Sequence, residues 1–156
     1  MDYKGTLIAV KDMEKSKRFY HDVLDLKVVD DFGANVVLTG GVFLQTADTW
    51  TTFIRKSEKE IIYTNNASEL YFEVNDMDSF TNKLSNFSDI AYLHPLLEHS
   101  WGQRAVRFYD LDGHIIEVGE NMTMVVKRFI AGGLSIDEVA KRMDVDGNYI
   151  KSLLEQ

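Results

Sequence analysis

The chain has no cysteine and one proline among its 156 residues. Without thiols, a disulfide framework, thiolate zinc and a cysteine nucleophile are all excluded, and nothing points to an oxidising compartment. Long apolar runs are missing as well. No window approaches the roughly 20 apolar residues of a membrane span, and the opening MDYKGTLIAV has no basic leader. The expectation is a cytoplasmic protein with no membrane partner. Positive charge is also scarce: the first 122 residues hold 12 of the 17 Lys+Arg but 20 of the 25 Asp+Glu. Such a body repels polyanions and shows no basic patch, so nucleic acid is not the expected partner. What is plentiful is apolar content, 45%, enough for one globular domain with a small appendage.

The most informative stretch is Ser100 to Glu120, SWGQRAVRFYDLDGHIIEVGE. Arg104 to Tyr109 has strand composition, Asp110-Leu111-Asp112-Gly113 suits a hairpin turn, and Ile115 to Val118 runs back. Glu117 lies among Ile115, Ile116 and Val118, where a carboxylate is costly to bury without a partner. Upstream, a strand Gly5 to Val10 leads through Asp12 into a helix with Ser16, Phe19, Tyr20, Val23 and Leu24 on one face. Three short strands follow: Leu26 to Asp30, Asn35 to Leu38 and Val42 to Thr46. Residues 47–66 are polar and read as a crossing that has room for a short helix or edge strand.

The pattern then repeats. Val10-Lys11-Asp12-Met13-Glu14 recurs as Val74-Asn75-Asp76-Met77-Asp78, each copy preceded by a strand and followed by an amphipathic helix, the second carrying Phe80, Leu84 and Phe87. Strands Ile90 to Pro95, Arg104 to Tyr109 and Ile115 to Val118 complete the echo. The fold class predicted is α+β: two tandem βαβββ units, residues 3–46 and 67–120, forming a half-open barrel in a domain of residues 1–122. Residues 123–156 read as a helical appendage of three short helices with a helix-turn-helix outline, Ser135 and Glu138 forming a capping box. Its would-be recognition helix offers DNA only Asn148, Tyr149 and Lys151, so packing on the domain or on a second subunit is the preferred reading.

The paired units, the opening Val-Lys-Asp-Met-Glu-Lys-Ser-Lys-Arg-Phe-Tyr (10–20), and the closing Trp-Gly-Gln-Arg (101–104) with Tyr-Asp-Leu-Asp-Gly-His-Ile-Ile-Glu-Val (109–118) resemble the glyoxalase, bleomycin-resistance protein and extradiol dioxygenase superfamily, also called vicinal oxygen chelate. The resemblance covers about residues 3–120. It implies a small-molecule ligand, commonly a homodimer, and one of several activities: metal-dependent lyase, isomerase, dioxygenase or non-catalytic drug binder.

The resemblance places metal ligands on the first and last strands of each unit. Those positions fall on Gly5, which has no side chain to offer, on Gln45 or its neighbour Leu44, on Glu69 and on Glu117. Glu69, Glu117 and Gln45 would be an all-oxygen set, suiting Mg²⁺, Mn²⁺ or Ca²⁺ ahead of Ni²⁺ or Zn²⁺. The other expectation is no metal, with Glu69 and Glu117 raising each other's pKa so that one serves as catalytic base. For substrate binding the candidates are Trp101, Tyr71, His94 and Arg104. Arg104 and Arg107 face opposite sides of their strand, so only one points inward, to pair with Glu117 or an acidic ligand. His21 and His114 are expected to face solvent, and a turn accounts for Asp112 and Gly113.

Overall fold

The computed structural model describes residues 1–155. These form two compact units, Met1–Ser68 with Tyr109–Ile115, and Glu69–Phe108 with Ile116 onward. The first runs β1 (Thr6–Val10), α1 (Met13–Leu24), β2 (Val28–Asp31), β3 (Asn35–Leu38) and β4 (Val42–Thr46), then α2 (Ala47–Ile54) within the polar crossing. The second repeats the order as β5 (Glu69–Val74), α3 (Met77–Leu84), β6 (Ala91–Glu98), β7 (Arg104–Tyr109) and β8 (Ile115–Glu120). The two sheets have matching strand orders, β1-β4-β3-β2 and β5-β8-β7-β6, and neither closes on itself. The α+β class and the paired βαβββ units are therefore as the sequence indicates.

The five-residue echo is a capping device. In the first copy Asp12 stands at the N-cap of α1 and accepts from the Lys15 amide. In the second, Asp76 caps α3 and accepts from the Ser79 amide and hydroxyl. Each carboxylate satisfies a helix N-terminal donor that would otherwise lack a partner. From α1 the predicted face buries Ser16, Tyr20 and Val23, which in the first unit join Val10, Val36, Leu38, Val42 and Leu44 in the core.

Several element boundaries differ from expectation. The strand expected to end at Pro95 runs on to Glu98. It lies at an edge of its sheet, where a residue without an N–H breaks no inner ladder. Gly5 precedes β1 rather than opening it. With φ at +149° it lies so close to the Gly41 carbonyl that a Cβ would collide with it, so the approach of these two backbone segments demands glycine.

The Asp110–Gly113 turn does more than reverse the chain, contrary to the sequence reading. Asp110 is buried and accepts from the Tyr20 hydroxyl at 2.8 Å and from the backbone N–H of Asp112 and His114. His114, expected to face solvent, is instead half-buried with Nδ1 2.8 Å from Asp110. Burial pushes the Asp110 pKa up, but the His114 and Tyr20 contacts outweigh it and hold the group below the usual carboxylate value. Asp112 in turn accepts from the Lys11 amide.

The C-terminal segment folds into α4 (Met122–Ala131), α5 (Ile136–Met143) and α6 (Gly147–Leu154). Ser135 and Glu138 form the capping box read in the sequence. Val125, Val126, Phe129, Val139, Ala140, Met143, Ile150 and Leu153 make one buried cluster. Among the described residues, no helix is long and apolar enough to cross a membrane.

Candidate functional site

Strand alternation in the second unit puts Glu69, Tyr71 and Glu73 on one face of β5 and buries Leu70 on the other. On β8, Glu117 is only 4% exposed, a position a carboxylate holds only when paired. Its partner is Arg107 of β7. The guanidinium forms an ion pair with Glu117 through Nη2 and donates from Nε to Glu69 at 3.0 Å. One cation thus spans both predicted carboxylates. Arg107 Nη1 also lies 3.3 Å from His94 Nε2, while His94 Nδ1 is 2.9 Å from the Pro95 carbonyl. This pair of contacts requires the neutral tautomer with its proton on Nδ1, since Arg107 can only donate.

The same strand explains Arg104, which was expected at the substrate. It faces the other way, donating to Glu120 from Nε and Nη2 and to Asp78 from Nη1. Strand parity separates the two arginines but does not say which is which; Arg107 takes the position given to Arg104.

Beside the Arg107 pair lies an aromatic and amide chain. His99 and Trp101 stack with ring centroids 4.2 Å apart and planes 4° from parallel. Trp101 Nε1 approaches Gln103 Oε1 at 3.4 Å, and Gln103 Nε2 donates to the Tyr71 hydroxyl and the Glu120 carbonyl. The Tyr71 hydroxyl donates to Glu73, which also accepts from Asn121. Tyr71 and Trp101 remain 49% and 40% exposed, so both rings present aromatic surface to solvent. Burial, with Arg107 and His94 nearby, lowers the His99 pKa, so the ring is neutral at pH 7. Burial raises the Tyr71 phenol, with Glu73 adding to the effect.

These residues do not fit the metal the family resemblance implies. Glu69 and Glu117 each place one carboxylate oxygen on the Arg107 guanidinium, so a cation already lies between the two groups that a divalent ion would bridge. The Gln45 amide, in the first unit, is consumed locally: its oxygen accepts from Asn35 at 2.9 Å and its nitrogen donates to Thr49. Gly5 is held to glycine by Gly41. Among the described residues, no group of three or more His, Asp or Glu is arranged to hold an ion.

Sequence reasoning named Glu69, Glu117, Tyr71, Trp101 and His94, which the structure gathers in the second unit, and left out His99 and Gln103. The cue for Gln103 was available, since it sits in the Trp-Gly-Gln-Arg motif. For His99 no periodic signal existed, because it lies in a turn closed by its own bonds to Gly102 and Gln103.

Comparison with known proteins agrees with this architecture. A family model described as "Glyoxalase-like domain" matches residues 3–123. No curated protein matches. A crystal structure of a protein of unknown function from Agrobacterium tumefaciens str. C58 is similar at 37% identity and TM-score 0.69, covering 78% of this chain and 94% of that one. A glyoxalase/bleomycin resistance protein/dioxygenase from Nocardioides is similar in fold at 15% identity and TM-score 0.63, covering 77% and 83%. So is a lactoylglutathione lyase from Agrobacterium tumefaciens, at 21% and 0.56, covering 76% and 92%. The chain belongs to the glyoxalase-like domain family of the glyoxalase/bleomycin resistance/dioxygenase superfamily.

Proposed function

We propose that this protein binds a flat small organic molecule on the Glu69–Tyr71–Trp101 face of its second unit, and does so without a resident metal. The observation that carries the reading is Arg107, bound to both Glu69 and Glu117 where relatives of the superfamily are expected to hold an ion. A lyase, isomerase or dioxygenase that uses a metal as Lewis acid needs those carboxylates free. Exposed Tyr71 and Trp101 supply stacking area. Glu69, Glu73 and Glu117 outnumber Arg107, so the face favours a cationic or neutral aromatic over an anionic one.

The test uses Trp101 fluorescence in a Trp50→Phe background. Acridine orange, a planar cation, is expected to quench saturably, and anthraquinone-2-sulfonate, a planar anion, to do so weakly or not at all. Glu73→Gln should weaken the cation about fivefold, the effect of one screened charge at this range. A preference for the anion, or identical binding by Trp101→Phe, would overturn the reading. Calorimetric titration with Mn²⁺ is its second arm, and saturable uptake by the unmodified protein would remove the metal-free part.

We also retain association as a homodimer. Strand β6 ends its sheet and exposes Tyr92, Leu93 and Leu96, a combination that favours pairing with another chain. Sedimentation equilibrium should give twice the monomer mass.

A further inference from the structure

The family match stops at residue 123, just after α4 begins, so nearly all of the three-helix segment is an addition to the family fold. Within the second unit this addition grips the loop that carries the aromatic surface. Arg128 of α4 donates to the Gly102 carbonyl at 2.6 Å, to both oxygens of Glu120 at 2.9 and 3.2 Å, and to Glu98 at 3.2 Å. Its neighbour Phe129 packs so tightly on Gly102 that a Cβ there would overlap the ring. Gly102 has φ at +94°, a conformation that also favours glycine. From α5, Arg142 pairs with Glu98 at 2.6 Å and lies 4.4 Å over the Phe129 ring. Glu98 ends β6, and the His99–Gln103 turn that follows holds the stacked His99 and Trp101.

We propose that Arg128 and Phe129, seconded by Arg142, are positioning residues that fix the His99–Gln103 loop, so that the added helices set the affinity of the aromatic face for its ligand. The inference rests on reading that face as the ligand site. Its physical core is the guanidinium of Arg128, which binds a loop carbonyl and the carboxylate of β8 at the same time. Release of α4 would leave Gly102 without its donor and without the ring that covers it. The Trp101 indole would then lose its fixed place against His99 and Gln103. Anything that binds or displaces the added helices would change ligand affinity by the same factor that ligand changes its binding, since coupling of equilibria is reciprocal.

The experiment compares Arg128→Met, Arg142→Met and a control, Lys127→Met, all in Trp50→Phe. Acrylamide quenching of Trp101 in the ligand-free protein is the first readout. Arg128→Met should raise the quenching constant about twofold, Arg142→Met less, and Lys127→Met not at all, with far-ultraviolet circular dichroism unchanged. Unchanged quenching in a folded Arg128→Met protein would overturn the proposal. If that variant does not fold, Arg142→Met combined with Glu98→Gln decides it by the same criterion. The second readout is acridine orange affinity, expected to fall about fivefold in Arg128→Met. Altered quenching with unaltered affinity would overturn the control of binding. Altered quenching when even the Arg128-containing protein binds no dye would sink the ligand reading and leave the positioning of the loop standing.

Discussion

Arg107 illustrates how one side chain decides what a pair of carboxylates can do. Glu117, almost wholly buried, has its charge balanced by that guanidinium, so Arg107→Ala strands a buried anion and should cost about 3 kcal/mol in chemical denaturation. Glu69→Gln, at a more exposed position, should cost less than about 1 kcal/mol. Equal losses would mean that the guanidinium does not serve Glu117 first. A second residue-scale prediction concerns His99. Its folded pKa is lowered, so the unfolded chain binds the proton more readily, and the stability this ring contributes is present above the ordinary imidazole value of about 6.5. It is lost progressively as pH falls below that value. NMR titration of His99 should give a midpoint below about 6.5, and His99→Phe should flatten the stability profile between pH 7 and 5. At this scale the sequence was half legible. A carboxylate in an apolar strand announces the need for a cation, but which of Arg104 and Arg107 answers depends on the pairing of β7 with its neighbours, which strand periodicity does not contain.

The elements carried more of their own specification. Caps at Asp12, Asp76 and Ser135 use short-range chemistry, a carboxylate or hydroxyl three residues before an amide, and sequence spacing shows it directly. The extension of β6 past Pro95 was hidden, because a lone proline reads as an ending unless its strand is known to be an edge. Glu120 was hidden for another reason. It closes β8 on the face opposite Glu117, and its partners Arg104 and Arg128 come from a different strand and a different helix. Burial pushes its pKa up, yet hydrogen bonds from Arg104 and Arg128 outweigh burial and hold it below the usual carboxylate value. The contribution is therefore fully present above the unfolded value near 4.3 and is lost as pH falls through the lower folded one. Glu120→Gln should cost about 1–3 kcal/mol at pH 7 and nothing measurable once the carboxylate of the parent protein is protonated. Urea midpoints across that pH range check both the size and its disappearance.

For the molecule as a whole, composition and the internal echo were sufficient to give the class and the duplication, because these depend on patterns repeated over many residues, while the family came from the resemblance of the motifs at 10–20, 101–104 and 109–118. The fate of the family's metal positions was not, except at Gly5, because it turns on contacts between residues far apart in the chain. The added helices were legible as helices, whereas their attachment to residues 98–104 was not. That attachment predicts cooperative melting: the second unit and α4–α6 should unfold in one step, with Trp101 fluorescence and helical circular dichroism giving coincident midpoints. Met143→Ala, in the buried cluster, should lower both together, by about 2–4 kcal/mol. A tail that melts ahead of the indole signal would show two independent bodies.

Gly5 carries a consequence for which substitutions the chain tolerates. A histidine placed there could not serve as the first-strand donor that the family resemblance implies, since its Cβ would strike the Gly41 carbonyl. A side chain at this position therefore requires the turn at Gly40-Gly41 to be rebuilt first, because the obstacle is a backbone carbonyl and not a side chain that could swing away. The close approach of two backbone segments thus acts as a filter that rejects side chains by their first carbon, whatever chemistry they carry beyond it.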